Sequence, residues 1–234
     1  MNIDAFTGRA KAYAEVRPGY PDEAVEYIKT LAPRDAVFAD VGAGTGKFTK
    51  LLAEYDYKIF AVEPNSDMRG QLELTLAPFP NALIINGTAE ATTLLDNSVD
   101  VITNAQALRR FDIKKFRAEC KRIGKADPII ITVFNDGERF STEYKTMDKV
   151  SEGYAKATGE LYQNPDVRKF SNPIHFTRDK WLLYYSSMEG VPLEGEEGYE
   201  SHTAELNDKF DRYNIDGIIC LDLTTYVYSE RINM

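Results

Sequence analysis

At 234 residues, with 43% hydrophobic and 28% charged content, the chain is long enough to bury one large core, as a single domain or a domain with an inserted cap. Its formal charge of −9 repels phosphate backbones and argues against a nucleic-acid partner. No apolar run approaches the ~20 residues that cross a bilayer. Residues 1–11 lack the apolar core of a secretory signal, and two distant cysteines, Cys120 and Cys220, suit neither a disulfide framework nor a zinc site.

A reduced, cytoplasmic setting is therefore expected, with no membrane and no metal, as a monomer or homodimer. In chain order, residues 23–31 read as a helix that covers a sheet. Residues 36–41 are a short apolar run ended by glycines, which predicts a strand. Phe48, Leu51 and Leu52 give 47–55 helical spacing, and 58–62 is apolar again. Residues 66–76 predict a helix with Ser66 as N-cap. Strands follow at 82–85 and 99–103, then a helix at 113–123 whose end suits Gly124, then a β-branched strand at 128–134. Lys114, Lys115, Arg117, Lys121 and Arg122 on that helix read as a solvated face.

After Phe134 the rhythm changes. Residues 136–193 are mixed, tyrosine-rich and mainly helical, with breaks at Pro165 and Pro173. A helix at 199–213 precedes two strand-like runs, 217–222 and 224–228. Strands and helices alternating at this pitch imply βαβ units. The predicted fold is α/β: a Rossmann-like, mostly parallel sheet with helices on both faces and the last strand antiparallel. A helical cap at 136–195 is inserted after the fifth strand, on the substrate side of one domain spanning 1–234.

The sharpest motif is Ala39-Asp40-Val41-Gly42-Ala43-Gly44-Thr45-Gly46, which follows a predicted strand and opens a predicted helix. Its glycines permit a tight turn and a close approach of backbone to ligand. Glu63 ends the next strand about 20 residues on, where an acid accepts hydrogen bonds from ribose hydroxyls. A phosphate-cradling NTP loop fails, because Val41 replaces its first glycine and Phe48 follows Lys47. A dinucleotide loop fits poorly, because the third glycine arrives one residue early, at Gly46. What remains is a loop for a nucleoside ligand without phosphate, or an unliganded tight turn.

These residues resemble class I S-adenosyl-L-methionine (SAM)-dependent methyltransferases, in the small-molecule, type 11-like branch. The glycine loop matches their first motif and Val62-Glu63-Pro64-Asn65-Ser66-Asp67-Met68 their second. Gly87-Thr88-Ala89-Glu90 and the stretch from Ser98 to Ala107 are similar to the third and fourth. The start, from Phe6 through Tyr13 and Arg17-Pro18-Gly19-Tyr20-Pro21, is also similar.

The resemblance implies roles. Gly42, Ala43 and Gly44 pass beneath the methionyl part of SAM, and Asp40 orders the loop or reaches the amino group. Glu63, followed by Pro64, accepts both ribose hydroxyls. Met68 packs on the adenine face or is an ordinary core methionine. Thr88 stands where many relatives carry an aspartate for the adenine amine, and Ala89 offers its amide to the ring. Glu90 caps the following helix. Asn104 and Ala105 face the methionine moiety through backbone carbonyls. Tyr13 and Arg17 share a helix face, with Arg17 on the SAM carboxylate, and Tyr20 is a lid aromatic.

One departure concerns catalysis. Relatives often carry His-Trp before Phe-Asp, whereas this chain has Arg109-Arg110-Phe111-Asp112. Arg109 then binds an anionic acceptor, or the acceptor needs no base, or activity is altered. Of the two histidines, His175 lies in the expected cap and His202 near the start of a late helix; a structural role is the default for both. The catalytic candidates are Arg109, His175 and Tyr20, and Tyr144, Tyr154, Tyr162, Tyr184 and Tyr185 are candidates for an aromatic pocket. The expected function is methyl transfer from SAM to a small-molecule acceptor, leaving S-adenosylhomocysteine (SAH). The alternatives are a non-catalytic SAM-binding protein and an NAD(P)-dependent oxidoreductase.

Overall fold

The structure, a computed structural model, describes residues 3–137 and 145–232. A short 3-10 turn (Ile3–Phe6) leads into α1 (Ala10–Val16) and α2 (Asp22–Leu31). The alternating part follows: β1 (Val37–Val41), α3 (Lys47–Ala53), β2 (Lys58–Val62), α4 (Ser66–Leu76), β3 (Ala82–Ile85), β4 (Val99–Ala105), α5 (Ile113–Ile123) and β5 (Gly124–Gly137). The chain ends with α6 (Lys145–Leu161), β6 (Asp166–Phe176), α7 (Arg178–Ser186), α8 (Tyr199–Tyr213) and β7 (Ile219–Arg231).

Among the described residues these strands form a seven-stranded sheet in the order β3-β2-β1-β4-β5-β7-β6. The first five are mutually parallel, and β7 runs antiparallel between β5 and β6. The order reverses between β1 and β4, which opens a crevice at the carboxyl ends of those strands. Period-2 alternation sends side chains to two cores. Val41, Ile102, Ile130 and Phe134 join Leu108, Phe116 and Tyr154 on one face. Phe38, Ile59, Ile131 and Val133 join Ile28, Phe48 and Leu52 on the other. A third cluster packs Trp181, Tyr184 and Phe210 of α7 and α8 against Ile219 and Leu221 of β7, and includes Val16 of α1. It ties the amino-terminal segment to the last third of the chain.

Three local expectations shift. The N-cap of α4 is Asn65 rather than Ser66: Asn65 is extended, and its side chain accepts from the Met68 amide at 2.9 Å. The region 136–195 carries a long strand, β6, between its helices. Pro173 does not break that strand, because β6 is the sheet edge and a proline there removes no ladder bond on the open side. The two late runs are one strand, β7, since both its sides are paired. Tyr144 lies outside the described residues.

Behind the crevice, Thr132 Oγ1 accepts from Asn104 Nδ2 at 3.0 Å and shares a hydrogen bond with the Tyr162 hydroxyl at 2.7 Å. Thr132 and Asn104 are fully buried. Thr132→Val keeps the shape, strands the Asn104 amide and leaves the Tyr162 hydroxyl only the Tyr228 carbonyl at 3.5 Å, so it should cost about 1–3 kcal/mol in a urea titration. A loss below a few tenths of that range would show that the network is not stabilising.

Candidate active site

The glycine loop turns on amides fixed to the end of β2. Gly42 and Ala43 donate to the Val62 carbonyl at 2.8 and 3.0 Å. Gly42 has φ +75°, and a Cβ there would meet Ala107 Cβ at 2.7 Å, so only glycine fits. Gly44 also has positive φ, but a Cβ there would meet nothing within 4 Å. It borders open space.

Two buried carboxylates flank this loop in different hydrogen-bond settings. Asp40 is fully buried beneath it and accepts from Thr49 Oγ1 at 2.5 Å and Thr103 Oγ1 at 3.0 Å. Burial pushes its pKa up to about 6, against the pull of those hydroxyls. Glu63 is 7% exposed; its oxygens accept from the Gly44 amide at 2.8 Å and the Asn65 amide at 2.9 Å. Burial raises its pKa, while the two amides oppose the shift. Each oxygen keeps acceptor capacity for a ligand hydroxyl.

Glu63, Pro64, Met68 and Ala89 line a narrow cavity of about 80 Å³, which Phe6, Phe111 and Arg110 also border. It adjoins a wider cavity of about 430 Å³ at Tyr13, Gly42, Gly44, Ala105 and Gln106. Arg17, Tyr20, Ala43, Thr45, Lys47 and Arg109 lie on the wider one, with Tyr184, Tyr185 and His202 opposite. The Thr45 hydroxyl is buried without a hydrogen-bond partner among the described residues.

The amino-terminal segment roofs both cavities. Asn65 Nδ2 donates to the Ile3 carbonyl at 2.9 Å, and the Gly8 amide donates to Asp67 at 2.8 Å. Arg9 donates to the Ser186 carbonyl at 2.7 Å and also to that of Val191. Arg17 donates to Ser187 through Nε and Nη2, between the rings of Tyr13 and Tyr184. Asn135 and Asn172 both donate to the Gly19 carbonyl, which fixes the turn carrying Tyr20.

The structure thus brings most of the sequence-derived residues together and leaves six apart, of which Tyr154 and Tyr162 are core tyrosines that line neither cavity. Asp40 lies under the loop and lines neither cavity. Thr88 pairs its backbone with Ala91 and lines neither cavity. Asn104, expected to act through its backbone carbonyl, lines neither cavity, and its side chain turns inward to Thr132. His175 is exposed on β6, opposite Cys220 of β7, outside both cavities. Sequence reasoning missed Gln106, Lys47 and His202 as lining residues. Gln106 ends β4 with φ +61° and is held by the Tyr154 hydroxyl at 3.1 Å. Its one sequence signal is its place just past a strand at the topological switch.

The raised pKa of Asp40 has a stability consequence. At low pH folded and unfolded chains both hold the proton. Between 3.8 and about 6 the unfolded chain releases it first, so stability falls as pH rises through that window. Against Asp40→Asn, whose side chain does not titrate, the wild type should lose on the order of 2–3 kcal/mol between about pH 4 and pH 7. Thermal unfolding of both proteins across that range checks it; parallel curves would contradict it.

Residues 39–132 match the protein family described as "Methyltransferase domain". An uncharacterized methyltransferase of Mycobacterium tuberculosis (strain H37Rv) is 33% identical over 157 residues, 67% of this chain and 58% of that protein. The match thus spans less than two thirds of that relative. Among solved structures, a candidate type II methyltransferase from Anaeromyxobacter dehalogenans is similar with TM-score 0.62 and 22% identity, over 92% of this chain and 97% of that one. The geranyl diphosphate C-methyltransferase from Streptomyces coelicolor A3(2), solved with Mg2+, geranyl diphosphate and SAH, is similar with TM-score 0.51 and 11% identity, over 91% and 79% of the two chains. Residues 39–132 of this chain thus carry a domain that matches the methyltransferase family, on a sheet whose fold is shared with solved methyltransferases.

Proposed function

We propose that this chain transfers the methyl group of SAM to a small-molecule acceptor. The observation that carries this reading is the Glu63 carboxylate, clasped by two amides, at the mouth of a narrow cavity that opens at Gly42 and Gly44 into a wider one. The nucleoside would enter the first compartment from the wider one, with its ribose on Glu63 and its base toward Met68, Ala89 and Phe111. The open space at Gly44 and the unpartnered Thr45 hydroxyl suit the amino-acid part of SAM. Arg17, on the same cavity, suits its carboxylate.

SAM, when bound, supplies a methyl group on a sulfonium that leaves as a neutral thioether. The work left to the chain is to orient the acceptor and keep water out. The amino-terminal roof serves the second need, since Phe6, Tyr13 and Tyr20 cover the crevice. Ala105 and Gln106, at the end of β4, border both compartments and so flank the place where donor and acceptor meet. The fold neighbour solved with SAH supports the cofactor, and the size of the roofed cavity, about 430 Å³, supports a small acceptor.

Incubation with SAM and a pool of small metabolites, followed by mass spectrometry, tests the reading. SAH should accumulate together with a product heavier by one methylene. Tight SAM binding without SAH formation across broad acceptor pools would instead favour a non-catalytic binding protein. Glu63→Ala should weaken SAM binding in equilibrium dialysis by about 1.5–3 kcal/mol, as loss of a charge-assisted hydrogen bond does. An unchanged affinity would remove the ribose assignment.

A further inference from the structure

The wider cavity has a charge opposite to that of the protein. The chain carries −9 overall. Yet this cavity is bordered by four cations, Arg17, Lys47, Arg109 and Arg110, against two described carboxylates, Asp136 and Glu189. Glu189 is neutralised by an ion pair, whereas Asp136 is held by neutral donors and keeps its charge, so the cavity retains two cations in excess. Glu189 pairs with Arg110 at 2.7 Å, and Asp136 accepts from Ser151 at 2.7 Å and from the Gly137 amide at 3.0 Å. Arg17, Lys47 and Arg109 have no carboxylate within salt-bridge distance among the described residues. Lys47 is the informative one. It is half-buried, its burial lowers its pKa, and no described anion offsets that cost. His202 lines the same cavity, and its Nε2 is buried without a hydrogen-bond partner among the described residues.

Cofactor binding deepens the imbalance. SAM carries a sulfonium, an ammonium and one carboxylate, a net positive charge. If Arg17 takes that carboxylate, Lys47 and Arg109 face a cationic cofactor with Asp136 as the one unpaired described carboxylate on the cavity. A neutral acceptor would leave them so, whereas an anion would neutralise them in a site screened from water.

We infer that the acceptor is a small organic oxyanion, whose charged group is held by Lys47 while Arg109 at the rim draws it in. This deepens the methyltransferase reading and rests on it. Lys47 is half-buried and carries the affinity; Arg109 is exposed, so water and salt screen it and its share is smaller. His202 Nε2 offers a hydrogen bond to a second polar group of the same acceptor.

Calorimetry on the full chain tests this, with glutarate, inorganic phosphate and the neutral isostere glutaramide as probes, each titrated with and without saturating SAH. SAH binding is measured first and separately. Its absence counts against the methyltransferase reading, while the anion titrations of the SAH-free protein still judge the charge assignment. At least one anion should bind and glutaramide should bind about tenfold more weakly or not at all. Lys47→Gln should weaken the anion by about tenfold and Arg109→Gln by about two- to threefold, with Lys47→Arg restoring it. Unchanged melting temperatures exclude misfolding of the variants. Binding of phosphate alone assigns a phosphorylated acceptor, and binding of glutarate alone assigns a carboxylic acid. Equal binding of glutaramide, no anion binding up to about 20 mM, or affinity unchanged in Lys47→Gln would overturn the inference.

Discussion

The site depends on one carboxylate accepting two backbone amides. Glu63 takes the Gly44 amide with one oxygen and the Asn65 amide with the other. The first bond fixes the loop after β1. The second fixes the start of α4, where Asn65 in turn caps the helix and holds the Ile3 carbonyl of the amino-terminal roof. Loop, strand end, helix start and roof therefore share one register. Burying a carboxylate this far is costly unless its lone pairs are satisfied, and the two amides offset that cost while leaving acceptor capacity free. The same group that aligns the backbone is available to select a ligand.

The roof is held from the other side by the last third of the chain. Arg9 reaches the carbonyls of Ser186 and Val191, and Arg17 reaches Ser187 between two tyrosine rings. These partners stand at the end of α7 and just beyond it, and α7 is anchored by Trp181 and Tyr184 against β7. The antiparallel pair β6–β7 thus serves the site from a distance. It extends the sheet so that α7 and α8 pack over the crevice and present Tyr184, Tyr185 and His202 to it.

Much of this was legible in the sequence because local chemistry dictated it. The loop from Asp40 to Gly46 carries glycines where positive φ is required, and Glu63 falls at the end of the next strand. The βαβ rhythm up to Phe134 follows from apolar runs of strand length. β6 was hidden because Pro173 reads as a breaker until the strand is known to be an edge. Asn104 was expected to act through its backbone carbonyl, and alternation along β4 turns its side chain into the core, toward Thr132. His202 could not be found from its neighbours in sequence, since tertiary packing alone swings α8 over the cavity. Lys47 sat in plain view beside the glycine loop, and only the distribution of carboxylates around the cavity gives it meaning.

The most direct test of the account is a parallel calorimetric titration of the wild-type chain with SAM, SAH and NAD(H). A Glu63-centred site that takes a nucleoside without a pyrophosphate predicts micromolar binding of SAM and SAH and none of NAD(H). Binding of NAD(H) in preference to SAM would contradict it, leaving the fold standing and assigning the crevice to a dinucleotide.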